Sequence, residues 1–460
     1  MPGLACSSLQ FRVVVKFSAA EQRCSLGCKS AAIAAECLLT THTGQRCSSK
    51  MAALSAIVGM FSELFNSKNF KKNSFLRYNV LFRKRKHDDE VIAGMASSVV
   101  VQPRKKARIQ NYYEEIIPRY SDLDFKGHFR LQRESVEYLC QILNLKETKK
   151  IGRSSIIEVK KEKVVLLSLW ILGNQESFRG VGDRFGLDKG HAHRLFIVFC
   201  KGVCNLKEIF IKWPVDKDAQ EVVKNFSSLR GRNSFPNVFG CVDGTLIQVT
   251  VCHHEKQEYY SRKQCTAVIL QGICRSDKMF TAVYAGWPGS AHDARVWRNS
   301  DVGIGLSNKT LPLPENCHLL GDSAYPLETY LMVPYKDNGH LNSKQKYFNK
   351  RLSSSRIVIE QAYGDLFGRF RRLKFLFVRN KQYLTKIILT ACVLHNLCIL
   401  QSDVSPDEDK HFTPFQPHPS QHSTNAANNK RDAIADYLYG VMRLQNSSIG
   451  DNSQESDNLV

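Results

Sequence analysis

Between residues 238 and 320 the chain falls into short apolar runs bounded by turn residues: Val238–Val242, Leu246–Val251, Thr266–Ile273, Met279–Ala285 and His318–Leu320. Runs of this length, rich in Val, Ile and Phe, read as strands. Asp243-Gly244, between the first two, reads as a hairpin turn. A helical period follows from Arg356 to Phe377, with Ile359, Ala362, Leu366, Phe370, Leu373 and Phe377 on one stripe at spacings of three or four. Three or four strands, a helix, a further strand and then helices predict an α/β domain over residues 238–400.

Upstream, residues 112–212 carry helical spacing instead. Leu131, Val136, Leu139, Ile142 and Leu143 mix steps of three and four, and Val164–Leu172 is a second apolar segment closed by Gly173-Asn174. Ser177 is placed to cap a helix through Phe178, Val181 and Phe185. Gly186-Leu187 breaks it, and Asp188 is placed to cap the next through Leu195 and Phe199. This is helix-turn-helix spacing, which predicts an all-α unit whose second helix would present Lys189 and Arg194 to DNA. The competing reading is an ordinary pair of packed helices.

Lysine and arginine total 65 against 43 acids, a formal charge of +22. Such an excess favours a polyanionic partner, because clustered cations gain affinity by releasing counterions from phosphates. The excess is uneven: residues 401–460 hold nine acids and four cations and read as an acidic polar tail with one short apolar interruption, Ile434–Leu444. Residues 1–111 read as a disordered basic region in which Arg83-Lys84-Arg85-Lys86 and Arg104-Lys105-Lys106-Ala107-Arg108 have the form of nuclear-import clusters. The first 60 residues resemble a transit peptide in composition, but Glu21 interrupts the pattern, and Met51 offers a second start. The fifteen cysteines are scattered without a C-x-x-C pair and read as reduced thiols. No run of about 18 consecutive apolar residues marks a membrane span, so no membrane partner is expected; the two basic clusters give the nucleus as the expected location, with the cytoplasm as a further one.

Four acids interrupt segments that otherwise look buried or tightly turned: Asp243 in CVDGT, Asp293 in GWPGSAHDARVW, Asp322 in LLGDSAYP and Glu360 in RIVIEQAYGDLFGRFRRL. Carboxylates converging in space suit a pair of hard divalent cations, which activate a nucleophile and stabilise a leaving oxygen in phosphodiester cleavage. Each also has a plain reading: an Asp-Gly turn, the end of a Ser290-x-x-Asp293 capping box, a turn before Pro326, a solvated helix residue.

The ordered set CVDGT, YYSRK at 259–263, GWPGSAHDARVW, LLGDSAYPL, FNKRLSSSRIVIEQAYGDLFGRFRRL and ACVLHNLC at 391–398 resembles the nuclease domain of the PIF/Harbinger transposases and their transposase-derived relatives. The resemblance covers about residues 238–398. It implies an RNase H-like mixed sheet flanked by helices and a metal site of the DDE type, using Mg²⁺ or Mn²⁺ for hydrolysis or strand transfer at DNA phosphodiesters. Matched motif by motif, Asp243, Asp322 and Glu360 are the implied catalytic and metal-binding triad, and Asp293 is an auxiliary ligand. Arg369, Arg371, Arg372 and Lys374, on the implied basic helix, are candidates for contacts to the DNA backbone. The resemblance also implies a separate Myb/SANT-like DNA-binding partner, and a homo-oligomer fits it too. Ala324 stands where glycine is usual, and the glutamate segment lacks a common lysine; neither change removes a ligand. A domesticated protein that binds DNA or acts as a scaffold without cutting is the alternative, and an RNA-directed nuclease a weaker third.

Overall fold

The computed structural model describes residues 107–145, 159–229, 231, 234–251, 256–261, 264–378, 380–404 and 423–454. The basic cluster at 83–86 and all but the end of that at 104–108 lie outside the described residues. The helices are α1 Asp122–Phe129, α2 Arg133–Ile142, α3 Lys161–Gly173, α4 Phe178–Arg184, α5 Lys189–Cys204, α6 Lys207–Phe210 and α7 Asp216–Ser228. Strand β1, Val238–Val249, is followed by α8 Lys256–Tyr259, β2 Ala267–Cys274, β3 Phe280–Pro288, α9 Asp293–Arg298 and α10 Asp301–Ser307. Then come β4 His318–Leu320, β5 Leu331–Met332, α11 Ser343–Arg369, β6 Phe375–Leu376, α12 Lys381–Leu400 and α13 Asn425–Gln454.

The sheet runs β3-β2-β1-β4-β5, with β6 also pairing β1. Strands β1, β2 and β3 form an antiparallel meander, whereas β4, β5 and β6 run parallel to their neighbours. This mixed α/β architecture agrees with the sequence reading in type, but the first strand differs. Val238–Val249 is one continuous strand, and Asp243-Gly244 lies inside it rather than at a hairpin turn. The turn signal of Asp-Gly is overridden by pairing with β2, since Asp243 and Gly244 face Gly272 and Gln271. The long helix also departs from expectation: α11 begins at Ser343, where Asn342 and Gln345 form a reciprocal capping box, and ends at Arg369. Arg371–Lys374 is a 3₁₀ turn, and Phe377 is exposed rather than part of a core stripe.

The helix-turn-helix spacing is reproduced closely. The Ser177 hydroxyl accepts from the Gly180 N–H, and Asp188 Oδ1 accepts from Gly190 and His191 N–H groups. Gly186 takes the left-handed conformation that closes the first helix. The pair does not stand apart from the sheet, however. Leu195, Phe196, Phe199, Cys200 and Val203 of α5 are buried in the same core cluster as α12, and Thr390 Oγ1 donates to the Cys200 carbonyl at 3.3 Å. Residues Arg104–Val460 make one compact unit, so the boundary expected between 212 and 238 does not separate two cores. Helix α12 is long and apolar enough by composition to cross a membrane, yet Leu384, Ile388, Ala391, Cys392, Leu394 and Leu397 are enclosed within this core.

Two conspicuous motif residues hold the core rather than a ligand. The amide of buried Asn396 accepts from Phe280 N–H at 2.9 Å and donates to the Phe280 and Phe210 carbonyls at 2.7 and 2.8 Å. It therefore ties the start of β3 to α6. Its neighbour His395 meets the Lys278 carbonyl at 3.0 Å, and burial holds its imidazole down at about 4, in the neutral form. The acidic tail is not free of the body either. Ala427, Ala435 and Leu438 of α13 are buried, Asp432 accepts from the Tyr335 hydroxyl at 2.5 Å, and Asp436 pairs with Lys344 of α11 at 2.7 Å. The apolar interruption in the tail thus serves an internal contact.

Arg369 and Arg372, expected on a DNA-facing helix, are buried. Arg369 pairs with Asp403 at 3.3 Å and donates to the Arg130 carbonyl at 2.6 Å, while Asp403 also pairs with Lys126 at 2.9 Å and accepts from Gln132 N–H at 2.7 Å. Arg372 donates to the Glu176 carbonyl at 2.9 Å and lies 5.5 Å from the Phe178 ring centroid. Both side chains are consumed in joining the helical half to the end of α11. Removing the Asp403 charge by Asp403→Asn strands two cations around a side chain that solvent does not reach. The expected cost is about 3 to 5 kcal/mol, measured as loss of urea-unfolding free energy, with Arg369→Ala behaving similarly. Full stability in both variants would contradict this role.

Candidate metal and catalytic site

Three acids reach one place through strand register and helix packing. Asp243 sits midway along β1. Cys241 pairs in parallel with Leu320 of β4, so Asp243 and Asp322 each lie two residues beyond a matched pair and come level at adjacent strands. Glu360 arrives from α11, which packs on β1 with Cys241 Sγ donating to the Ser355 carbonyl at 3.6 Å.

Small residues around Asp243 are steric requirements. A Cβ on Gly272 would stand 2.9 Å from the Tyr363 hydroxyl. That hydroxyl donates to the Asp243 carbonyl at 2.8 Å and fixes the backbone from the α11 side. A Cβ on Gly244 would collide with Asp293 Oδ1, so the fourth carboxylate lies against β1 on the face that Gly244 leaves open. Asp293 is the first residue of α9 rather than the end of a capping box: the Ser290 hydroxyl donates instead to the Glu258 carbonyl at 2.6 Å. Asp322 Oδ1 accepts from Ala324 N–H at 2.9 Å, which sets its rotamer in the turn after β4.

Arg356, a residue the motif reading did not single out, stands among these acids. Its guanidinium lies 3.4 Å from Asp243 Oδ2 and 3.1 Å from Glu360 Oε1. The signal was present in the sequence, since Arg356 precedes Glu360 by four residues and such positions share a helix face. Burial raises the proton affinity of Asp243; Arg356 opposes this, and Asp322 and Glu360 add to it. Burial likewise raises that of Asp322, again against Arg356, with Asp293 adding its repulsion. Tyr325, whose oxygen accepts from Gln271 Nε2 at 3.1 Å, is buried beside Asp293, Asp243 and Asp322 and is held protonated.

Among the described residues, no group of three or more His, Cys, Asp or Glu side chains is gathered closely enough to hold a metal ion as the side chains stand. The donor chemistry nevertheless fits a hard divalent cation: all four groups offer carboxylate oxygen, and their mutual repulsion marks a place where added positive charge is stabilising. The nearby Cys241 thiol, pushed up to about 12 by burial, stays protonated and offers no competing soft ligand. Of the candidate DNA contacts, Lys189, Arg194 and Lys374 are exposed and Arg371 is half-buried. His193 of α5 turns towards the Phe178 and Tyr383 rings, at 5.0 and 6.2 Å between centroids.

The region that carries these acids is similar to known proteins. Residues 242–396 match the family described as DDE superfamily endonuclease, a span that contains all four acids. An ALP1-like protein of Arabidopsis thaliana is 26% identical over 336 residues, covering 69% of this chain and 81% of the relative. The Arabidopsis protein named Antagonist of Like Heterochromatin Protein 1 is 25% identical over 310 residues, 63% of this chain and 77% of its own. HARBI1 of Homo sapiens, named a candidate nuclease, is 26% identical over 273 residues, 58% of this chain and 75% of its own. No solved structure matches the chain. Residues 242–396 thus carry a domain of the DDE superfamily endonuclease family, and these relatives support the resemblance to the PIF/Harbinger transposase-derived nucleases.

Proposed function

We propose that the protein is a divalent-metal-dependent DNA endonuclease with an RNase H-like catalytic domain. The reading is carried by the meeting of buried Asp243 and Asp322 with Glu360 around one strand, where their repulsion is only partly relieved by Arg356. Asp243, Asp322 and Glu360 are the proposed metal ligands, with Asp293 beside them. A bound Mg²⁺ or Mn²⁺ supplies an activated water nucleophile and stabilises charge on the phosphate. The chain's own part is positioning: β1 and β4 set the separation of Asp243 and Asp322, and Tyr363 prevents β1 from shifting. Glu360, the most exposed of the three, has room to turn from Arg356 towards a cation. Arg356, released from Glu360, remains at Asp243 and is placed to meet a phosphate oxygen.

Lys189, Arg194, Arg371 and Lys374 are the proposed DNA contacts. Nuclear residence rests on the two basic clusters, and a Myb/SANT-like partner and a homo-oligomer belong to the same reading. A second reading, a DNA-bound scaffold that no longer cuts, is favoured by one observation: Arg356 already neutralises two of the three proposed ligands. The name of the Arabidopsis relative, which describes antagonism of a heterochromatin protein, points the same way.

The deciding assay is cleavage of duplex DNA with Mg²⁺ or Mn²⁺. Wild type should cut, and Asp243→Asn or Asp322→Asn should lose about a thousandfold in rate, equivalent to roughly 4 kcal/mol at the transition state. Binding without cutting by the wild type would establish the scaffold reading. A second measurement needs no turnover: Mg²⁺ at a hundredfold excess over its Kd should stabilise the wild type by about 2.7 kcal/mol. The thermal midpoint of Asp243→Asn should not respond. Equal responses would remove Asp243 from the ligand set.

DNA contacts separate by salt and sequence. Replacing Arg371 and Lys374 should weaken binding alike on unrelated duplexes and lower the log–log salt slope by about one for each phosphate no longer neutralised. Replacing Lys189 and Arg194 should change preference among sequences. If neither pair changes preference, the 177–204 helices serve packing alone.

A further inference from the structure

We propose that Phe375 and Phe377 form a stacking platform for a single-stranded stretch of DNA next to the nuclease site. This deepens the proposed nuclease reading by naming the form of nucleic acid held beyond the scissile position.

Strand β6 lies at the sheet edge and alternates: Phe375 is 43% exposed, Leu376 is fully enclosed and Phe377 is 59% exposed. Two large exposed rings thus stand two residues apart, Phe375 within the edge strand and Phe377 just beyond its end. No core packing explains them, since Leu376 alone supplies the buried contact. The chain around them is rich in cations: from Arg369 to Lys386 the sequence contains seven Lys or Arg and no acid, and although Arg369 and Arg372 are buried, others remain at the surface. Lys374 and Lys381, on either side of the rings, are exposed. Lys381 holds its ammonium 5.0 Å from the Tyr259 ring centroid, and next to that ring Tyr260 is itself 47% exposed. Tyr260 bridges to Thr266, which hydrogen-bonds with Val249 at the same end of β1 that pairs with β6.

A cationic edge interleaved with exposed aromatic rings is the surface chemistry of single-strand binding, in which bases stack on rings and cations follow the phosphates. A duplex is a poor match, because its base faces are already covered by stacking. Spacing gives the same answer. Side chains at i and i+2 of a strand are about 6.7 Å apart, which admits one base of ~3.4 Å thickness between two rings.

Placement links the platform to the acids. Phe375 pairs in parallel with Gln248, so it shares the face of β1 on which Gly244 leaves room for Asp293, whereas Asp243 projects to the opposite, α11-covered face, and the platform meets the site through Asp293 and along the strand. The four residues from Gly244 to Gln248 span about 13 Å, roughly four nucleotides at ~3.4 Å each.

The test uses the full chain in chelator, with anisotropy of labelled oligo(dT) of about 12 nucleotides, within the range one binding fold covers, and a blunt duplex of equal length. Phe375→Ala with Phe377→Ala should weaken oligo(dT) binding about tenfold or more and leave duplex binding and the salt slope unchanged. Phe375→Tyr with Phe377→Tyr should restore it. Absence of oligo(dT) binding by the wild type, no loss in the alanine variant, or equal loss on both probes would overturn the platform. So would dissociation of a self-associated form by the alanine variant with oligo(dT) affinity intact, which would make the rings a contact between copies. Cleavage of the blunt duplex is read separately. A chain that fails to cut but binds oligo(dT) through the rings keeps the platform and loses the nuclease reading, whereas one that cuts with silent rings does the reverse.

Discussion

The Arg356 guanidinium, shared between Asp243 and Glu360, compensates the charge on which the site depends. Asp243 and Asp322 are almost completely enclosed, and two carboxylates taken out of water beside each other resist ionisation. A single cation on a helix, planar and able to donate in two directions, lowers that cost without filling the space between the strands. The remaining repulsion leaves the cluster short of positive charge.

Geometry around that charge is set by what the chain omits. Gly244 and Gly272 lie diagonally across the β1–β2 register, and each opens one side of the sheet. The space at Gly272 is taken by the Tyr363 hydroxyl, which holds the backbone of Asp243, and the space at Gly244 by the Asp293 carboxylate. A side chain at either position would move an acid or release the strand. The same packing explains why Asp-Gly fails to turn here: both residues are held in pairing with β2.

How legible all this was follows from the range of the interactions concerned. Strand runs, the capped 177–204 helix pair and the four acids were visible because each is a local pattern. Level placement of Asp243 and Asp322 could be anticipated once both were seen to follow or interrupt apolar runs. The start of α11 was hidden because residues 343–355 are mostly polar and bury little beyond Phe348, Leu352 and Ser355. Arg369 and Arg372 looked like surface cations because their partners, Asp403 and the Glu176 and Arg130 carbonyls, come from distant segments. A basic run gives no local sign of which members will find buried oxygen. The docking of the tail was hidden for the same reason, since Asp432 and Asp436 resemble any solvated acids until Tyr335 and Lys344 are placed beside them.

Helix α11 connects these points mechanically. Near its start, Lys344 is tied to α13; near its end, Arg369 is tied to Asp403, the Arg130 carbonyl and thereby the helical half. Its 27 residues span about 40 Å, and Arg356, Glu360 and Tyr363 lie between the two anchors. A helix held at both ends presents these three residues from a fixed backbone. Asp243 is placed by strand register and Asp322 by the turn after β4, and Arg356 and Glu360 meet them from the helix side. The helical half and the tail act on the site through this helix, although neither supplies it with an acid.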